Sequence, residues 1–310
     1  MKVVFMGSSD FAVPSLLILL QGGYQIMGVV SQPDKARGRG KKISPTPVKA
    51  KAVELGLEVY QTDNIKSSQA LDQIRQWDPE IIVVASYGQI IPVALLEYPP
   101  YGCINVHASI LPRYRGAAPI HRAIMEGEES TGVTIMYMEQ GLDTGDIIAQ
   151  ESVDISKDMD GGALEELLAH KGAVLLLEVI KAMENGAVSR SKQDESQATY
   201  AHMLKREDEW IDWNRSAKEI FNQIRALSPV PGAYTLLDGI KIKVFAARLI
   251  DKSWPGVSGQ VVALSKEGFV VRTGEQGLEI LEVQKEGKKR TKAVDFLRGY
   301  RELEGKVLGQ

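Results

Sequence analysis

Residues 81–85 read Ile-Ile-Val-Val-Ala. A short apolar run that is β-branched at four of its five positions suits a strand buried on both faces. Strands of that kind belong to parallel sheets covered by helices. The surrounding chain repeats the pattern. Segments 2–6, 25–30, 103–106 and 134–138 read as strands, and 14–21, 46–55, 67–77, 118–125 and 162–184 as helices. This alternation predicts an α/β fold with a doubly wound, mostly parallel sheet.

The pattern changes near residue 189. The stretch 189–204 opens with polar residues that lack periodicity, and it predicts a linker. One helix, 216–227, then precedes short strands at 233–237, 240–249, 259–264, 269–272 and 278–282, with glycines in many of the turns. That spacing predicts a small β-barrel over 205–310 and leaves 1–188 as the α/β domain. A length of 310 residues suits two such domains.

Composition removes several function classes. Cys103 is the single cysteine, so an intrachain disulfide framework and a CxxC metal cluster are excluded, and a reducing compartment is expected. No run approaches the ~18 apolar residues of a membrane-spanning helix, and residues 1–7 lack the apolar region of a secretion signal. A complete, soluble, cytoplasmic chain is expected. Residues 205–310 carry 19 Lys and Arg against 15 Asp and Glu, whereas 1–204 carry 18 against 25. A mildly basic tail on an acidic body hints at a polyanionic partner, but for so small an excess a solvated surface is the better reading.

The first strand ends at Gly7-Ser8-Ser9-Asp10-Phe11. A dinucleotide fingerprint needs GxGxxG there, and only its first glycine is present, which disfavours a nicotinamide oxidoreductase. Residues 33–47 form a loop with three prolines, two glycines and five basic residues. On an acidic domain it reads either as a clamp on phosphates or as a plain solvated loop.

The segment 103–119 carries the chemistry. Strand periodicity puts Asn105 and His107 on one face, at the C-terminal end of a strand, where open α/β sheets place their ligands. The amide can donate to a carbonyl oxygen that gains negative charge, and the imidazole can move a proton near neutral pH. Asp143, in Gly141-Leu142-Asp143-Thr144-Gly145-Asp146, follows another apolar strand. A carboxylate beside the imidazole would fix its tautomer. Asn105, His107 and Asp143 together predict an acyl-transfer centre without a covalent nucleophile.

At these residues the chain resembles the methionyl-tRNA formyltransferases. The family motif Asn-x-His-x-Ser-Leu-Leu-Pro stands here as Asn105-Val106-His107-Ala108-Ser109-Ile110-Leu111-Pro112, and Arg113 to Ile120 continues it. Leu142-Asp143-Thr144-Gly145 matches the aspartate loop. Phe5-Met6-Gly7, Gly38-Arg39-Gly40-Lys41-Lys42 and Glu209-Trp210-Ile211-Asp212-Trp213 extend the likeness over almost the whole chain. Ile110 stands where the family usually has Leu, and Val230 where many members carry Trp.

The resemblance implies a Rossmann-like catalytic domain with a folate site over 1–188 and an OB-like, tRNA-binding barrel over 205–310. It implies transfer of the formyl group of 10-formyltetrahydrofolate to the α-amino group of methionyl initiator tRNA, with no metal and no membrane, by a monomer. Asn105, His107 and Asp143 would be catalytic. Ser109, Ile110, Leu111 and Pro112 would help form the folate pocket, and Arg37, Arg39, Lys41 and Lys42 would hold the tRNA. A related enzyme acting on an amino-sugar nucleotide is the nearest alternative.

Overall fold

The computed structural model describes residues 1–37, 42–300 and 302–309. From the N-terminus the elements are β1 (Lys2–Gly7), α1 (Val13–Gln21), β2 (Gln25–Ser31), β3 (Lys35–Arg37), β4 (Lys42–Ser44), α2 (Pro47–Glu54), β5 (Val59–Gln61), α3 (Ser68–Trp77), β6 (Ile81–Ala85) and α4 (Val93–Leu96). Then follow β7 (Cys103–His107), β8 (Arg115–Gly116), α5 (Pro119–Met125), β9 (Ser130–Tyr137), β10 (Ile147–Asp154), α6 (Gly161–Glu184) and β11 (Tyr200–Ala201).

Seven strands make one sheet in the order β10-β9-β7-β6-β1-β2-β5. The five from β7 to β5 are parallel, and β9 and β10 add two antiparallel strands at one edge. The order β5-β2-β1-β6-β7 is doubly wound, with its switch between β1 and β6. All five residues of β6 are buried, as the run at 81–85 predicts. The strand β10 escapes the sequence reading because most of its residues are half-exposed or exposed on an edge, so its apolar pattern is weak.

The helices start where side chains can cap them. The Oγ1 of Thr46 accepts from the backbone N–H of Lys49 before α2, and Ser67 Oγ accepts from Ala70 before α3. In α3 the buried positions Ala70, Ile74 and Trp77 fall on one face. Trp77 lies flat on β2 because position 28 is glycine; a Cβ there would sit 2.4 Å from the indole.

Burial pushes the Cys103 thiol up to about 12, and its Sγ donates to the Leu95 carbonyl at 3.2 Å. At pH 8 only about one thiol in 10⁴ is then ionised. A thiol reagent should therefore label the native protein only as fast as it unfolds, and take up one equivalent in denaturant. Rapid native labelling would contradict this burial.

The fold divides into two compact units, and they are not contiguous in sequence. The first comprises Met1–Pro119, Ser130–Asp154 and Glu165–His202. The second comprises Ile120–Glu129, Ile155–Leu164 and Met203–Gln310. Two short excursions from the first two-thirds of the chain join the tail unit, because Met125 packs on its core and Arg122 pairs with Asp208 through two 2.8 Å hydrogen bonds.

Residues 189–204, expected as a linker, carry the short strand β11. Much of this stretch folds onto the first unit, where β11 runs parallel to β8. Arg115 N–H donates to Thr199 O, and the N–H groups of Ala117 and Ala118 both donate to Ala201 O. Most of the stretch is exposed to solvent, and a few of its side chains, among them Gln193, Glu195 and Thr199, also reach partners in the first unit.

In the second unit α7 (Arg206–Glu209) and α8 (Ala217–Ala226) precede β12 (Ala233–Leu237), β13 (Ile240–Ile250), β14 (Val261–Leu264), β15 (Phe269–Arg272), β16 (Gly277–Lys285), β17 (Thr291–Lys292) and α9 (Ala293–Leu297). The strands form an antiparallel sheet in the order β12-β13-β16-β15-β14, with β17 also on β16. Register shifts between Val244 and Ala247 bend β13. The Ser216–Glu219 capping box starts α8, whose buried Ile220 and Ile224 meet Trp213, Val244, Val271 and Ile280 in one core.

Candidate active site

The site lies at the C-terminal end of β7. Val106 faces α6, where a Cβ on Gly172 would come within 2.7 Å of it. Alternation turns Asn105 and His107 to the other face of the strand. Asn105 is half-buried, and among the described residues its amide has no side-chain hydrogen bond. It is left free to meet a ligand.

His107 is held at one ring nitrogen and faces a carboxylate with the other. Its Nε2 lies 3.0 Å from the carbonyl oxygen of Tyr114. A carbonyl can only accept, so Nε2 carries the hydrogen, an assignment that follows from the partner. The nitrogen left to gain or lose a proton is Nδ1, which faces Asp143 Oδ2 at 3.7 Å. That gap is longer than a direct hydrogen bond. The tautomer is therefore set by Tyr114, and not by the carboxylate as expected from sequence. The side chains of His107 and Asp143 are only 6% and 14% exposed, so charge between them is weakly screened.

Asp143 is fixed independently of the histidine. Its Oδ2 accepts the backbone N–H of Gly116 at 2.8 Å. The residue sits in the left-handed region at φ 54°, and so does Tyr114 at φ 60°. Side chains rarely adopt that backbone, and its cost is tolerated where the surroundings hold it. Gly116, at φ 119°, admits no side chain, since a Cβ would meet the Ala201 carbonyl at 2.8 Å.

The loop 109–112 is built around Thr134, which is fully buried. Thr134 Oγ1 donates to Ser109 O at 2.6 Å and accepts from Leu111 N at 3.2 Å. Gln150 Nε2 reaches Leu111 O at 2.9 Å and Thr134 Oγ1 at 3.0 Å. Ser109 donates its hydroxyl to Arg113 O at 2.6 Å. Ser109 and Leu111 are thus turned inward, while Ile110 and Pro112 keep partial exposure. Of the four basic residues proposed for tRNA, Arg37 and Lys42 are register partners in the backbone ladder of β3 and β4. Arg39 and Lys41 lie outside the described residues.

Sequence reasoning missed Thr134, Gln150, Gln193 and Thr199. A polar residue between Val133 and Ile135 in a buried strand was a signal for Thr134. Gln193 and Thr199 had no local signal, because their partners lie far away in sequence. Among the described residues no group of three or more His, Cys, Asp or Glu is placed to hold a metal, and no helix is long and apolar enough to cross a membrane.

Residues 1–180 match the family model for formyl transferase, and residues 203–301 match that for the formyl transferase C-terminal domain. The methionyl-tRNA formyltransferase of Syntrophomonas wolfei is 52% identical over 310 residues, covering 100% of this chain and 99% of that one. The chain belongs to the methionyl-tRNA formyltransferase family. The Bacillus subtilis member is 46% identical over 309 residues, covering 99% of this chain and 98% of its own length.

Solved structures share the fold at much lower identity. HypX from Aquifex aeolicus, in complex with tetrahydrofolic acid, gives a TM-score of 0.66 at 17% identity, over 98% of this chain and 48% of that one. The sugar 3N-formyltransferase WlaRD gives 0.65 at 23% identity, over 93% of this chain and 99% of that one.

Proposed function

We propose that this member of the family transfers the formyl group of 10-formyltetrahydrofolate to the α-amino group of methionyl initiator tRNA. The observation that carries the reading is Asn105, His107 and Asp143 gathered at the end of β7, in a chain similar along its full length to methionyl-tRNA formyltransferases. The free amine attacks the formyl carbon, and the carbonyl oxygen takes up negative charge. The free Asn105 amide donates to that oxygen. The new C–N bond forms, the bond from the formyl carbon to the folate nitrogen breaks, and the amine proton moves to that nitrogen. His107 Nδ1, backed by Asp143, is the group positioned to relay it.

Ile110 and Pro112 offer partly exposed surface for the folate, and Ser109 and Leu111 hold the loop that presents them. The test is formyl transfer by the purified chain, with methionyl initiator tRNA and an amino-sugar nucleotide as separate acceptors. Transfer to the tRNA is expected. Transfer to the sugar nucleotide alone would replace this reading with the amino-sugar one.

Arg37, Arg39, Lys41 and Lys42 are proposed to grip the tRNA backbone. Four phosphate contacts would weaken binding about 10²-fold between 50 and 200 mM salt. Replacing all four by Ala should flatten that dependence. An equally steep response in the variant would place the contacts elsewhere.

A further inference from the structure

Resting on that functional reading, we propose that Gln193 is a positioning residue for the transfer centre, acting through the Asp143 loop. Gln193 donates from Nε2 to the carbonyl oxygens of Asp143 and Gly145, both at 2.8 Å. Its Oε1 accepts from Arg115 Nε at 3.0 Å and Nη2 at 2.7 Å. Arg115 is fully buried and is pinned in turn by Glu195 through bonds of 2.9 and 2.7 Å. One amide therefore ties the aspartate turn to a side chain that cannot move without leaving its own partners.

The location of this tie gives it leverage. Asp143 holds a left-handed backbone, and its carboxylate must stay 2.8 Å from Gly116 N–H to face His107. Gly116 follows Arg115 directly in β8, so Gln193 links both sides of the Asp143–Gly116 bond. The same segment returns to β8 through β11, and Thr199 accepts the Tyr114 N–H at 2.9 Å. Tyr114 is the residue whose carbonyl sets the His107 tautomer. The stretch read as a linker is thus the outer wall of the catalytic aspartate and histidine. Partners of this outer kind commonly affect activity 10- to 100-fold at metal sites, and a similar scale is expected here.

Two substitutions separate the functions of the amide. Gln193→Ala removes the donors and the acceptor. Gln193→Glu keeps an acceptor for Arg115 but turns a carboxylate oxygen toward two carbonyl oxygens. Both should lower kcat ten- to a hundredfold with little change in KM for the tRNA. In an Asp143→Ala background the further loss from Gln193→Ala should fall below about twofold, because coupled residues are non-additive.

Equal losses in both backgrounds, or full activity in Gln193→Glu, would overturn the proposal. Hydrogen exchange gives a readout independent of the acceptor. The Gly116 amide should exchange faster in Gln193→Ala while β6 amides stay unchanged. Unchanged exchange at Gly116 would overturn the proposal even if the chain formylated some other amine, and a wild type unable to formylate methionyl-tRNA would fail the functional reading alone.

Discussion

Replacing His107 by Ala should lower kcat for formyl transfer at least ~10²–10³-fold, and Asn105→Ala should lose a comparable factor. The two residues fail for different reasons. His107 Nε2 is committed to Tyr114 O, so Nδ1, facing Asp143, is the only ring nitrogen open to proton transfer. Alanine removes that route. The Asn105 amide has no hydrogen bond among the described side chains, so in the proposed mechanism its value lies in what it donates to the bound substrate. Its loss should appear in kcat rather than in folate affinity, since the charge it meets develops only as the amine adds. Single-turnover rates at saturating tRNA and donor measure both. Near-wild-type rates in the two variants would remove the centre from the end of β7.

Arg115→Met should destabilise the first unit by roughly 2–4 kcal/mol. Arg115 is fully buried, and its guanidinium donates to Gln193 and Glu195. Methionine would fill part of the volume but would leave Gln193 Oε1 without its donor. Glu195 is 69% exposed and returns to water at little cost, which keeps the estimate below that for a fully buried pair. Denaturant unfolding, followed by a probe in the first unit, gives the number. A loss under about 0.5 kcal/mol would mean that the Arg115 bonds exchange evenly with water.

The contrast between these variants reflects two kinds of information in the chain. The sequence by itself determined the layers of the fold. The β-branched run at 81–85 and the helices expected over 46–55 and 67–77 rest on local signals, and each recurs in the structure at or within a residue of its expected ends. It also determined that Asn105 and His107 share a face, because strand alternation has a period of two.

Tertiary structure alone decided which nitrogen of His107 is free, since Tyr114 reaches it through a left-handed turn seven residues away. Only tertiary structure showed that residues 193–201 bond to β8 and to the Asp143 loop. The bonds of Gln193 to the Asp143 loop span 48 and 50 residues, and the Arg115–Glu195 pair spans 80. Hydrogen bonds between such distant residues leave no periodicity in either segment. Polar residues that pair with one another in a buried site have the same local composition as residues that face water.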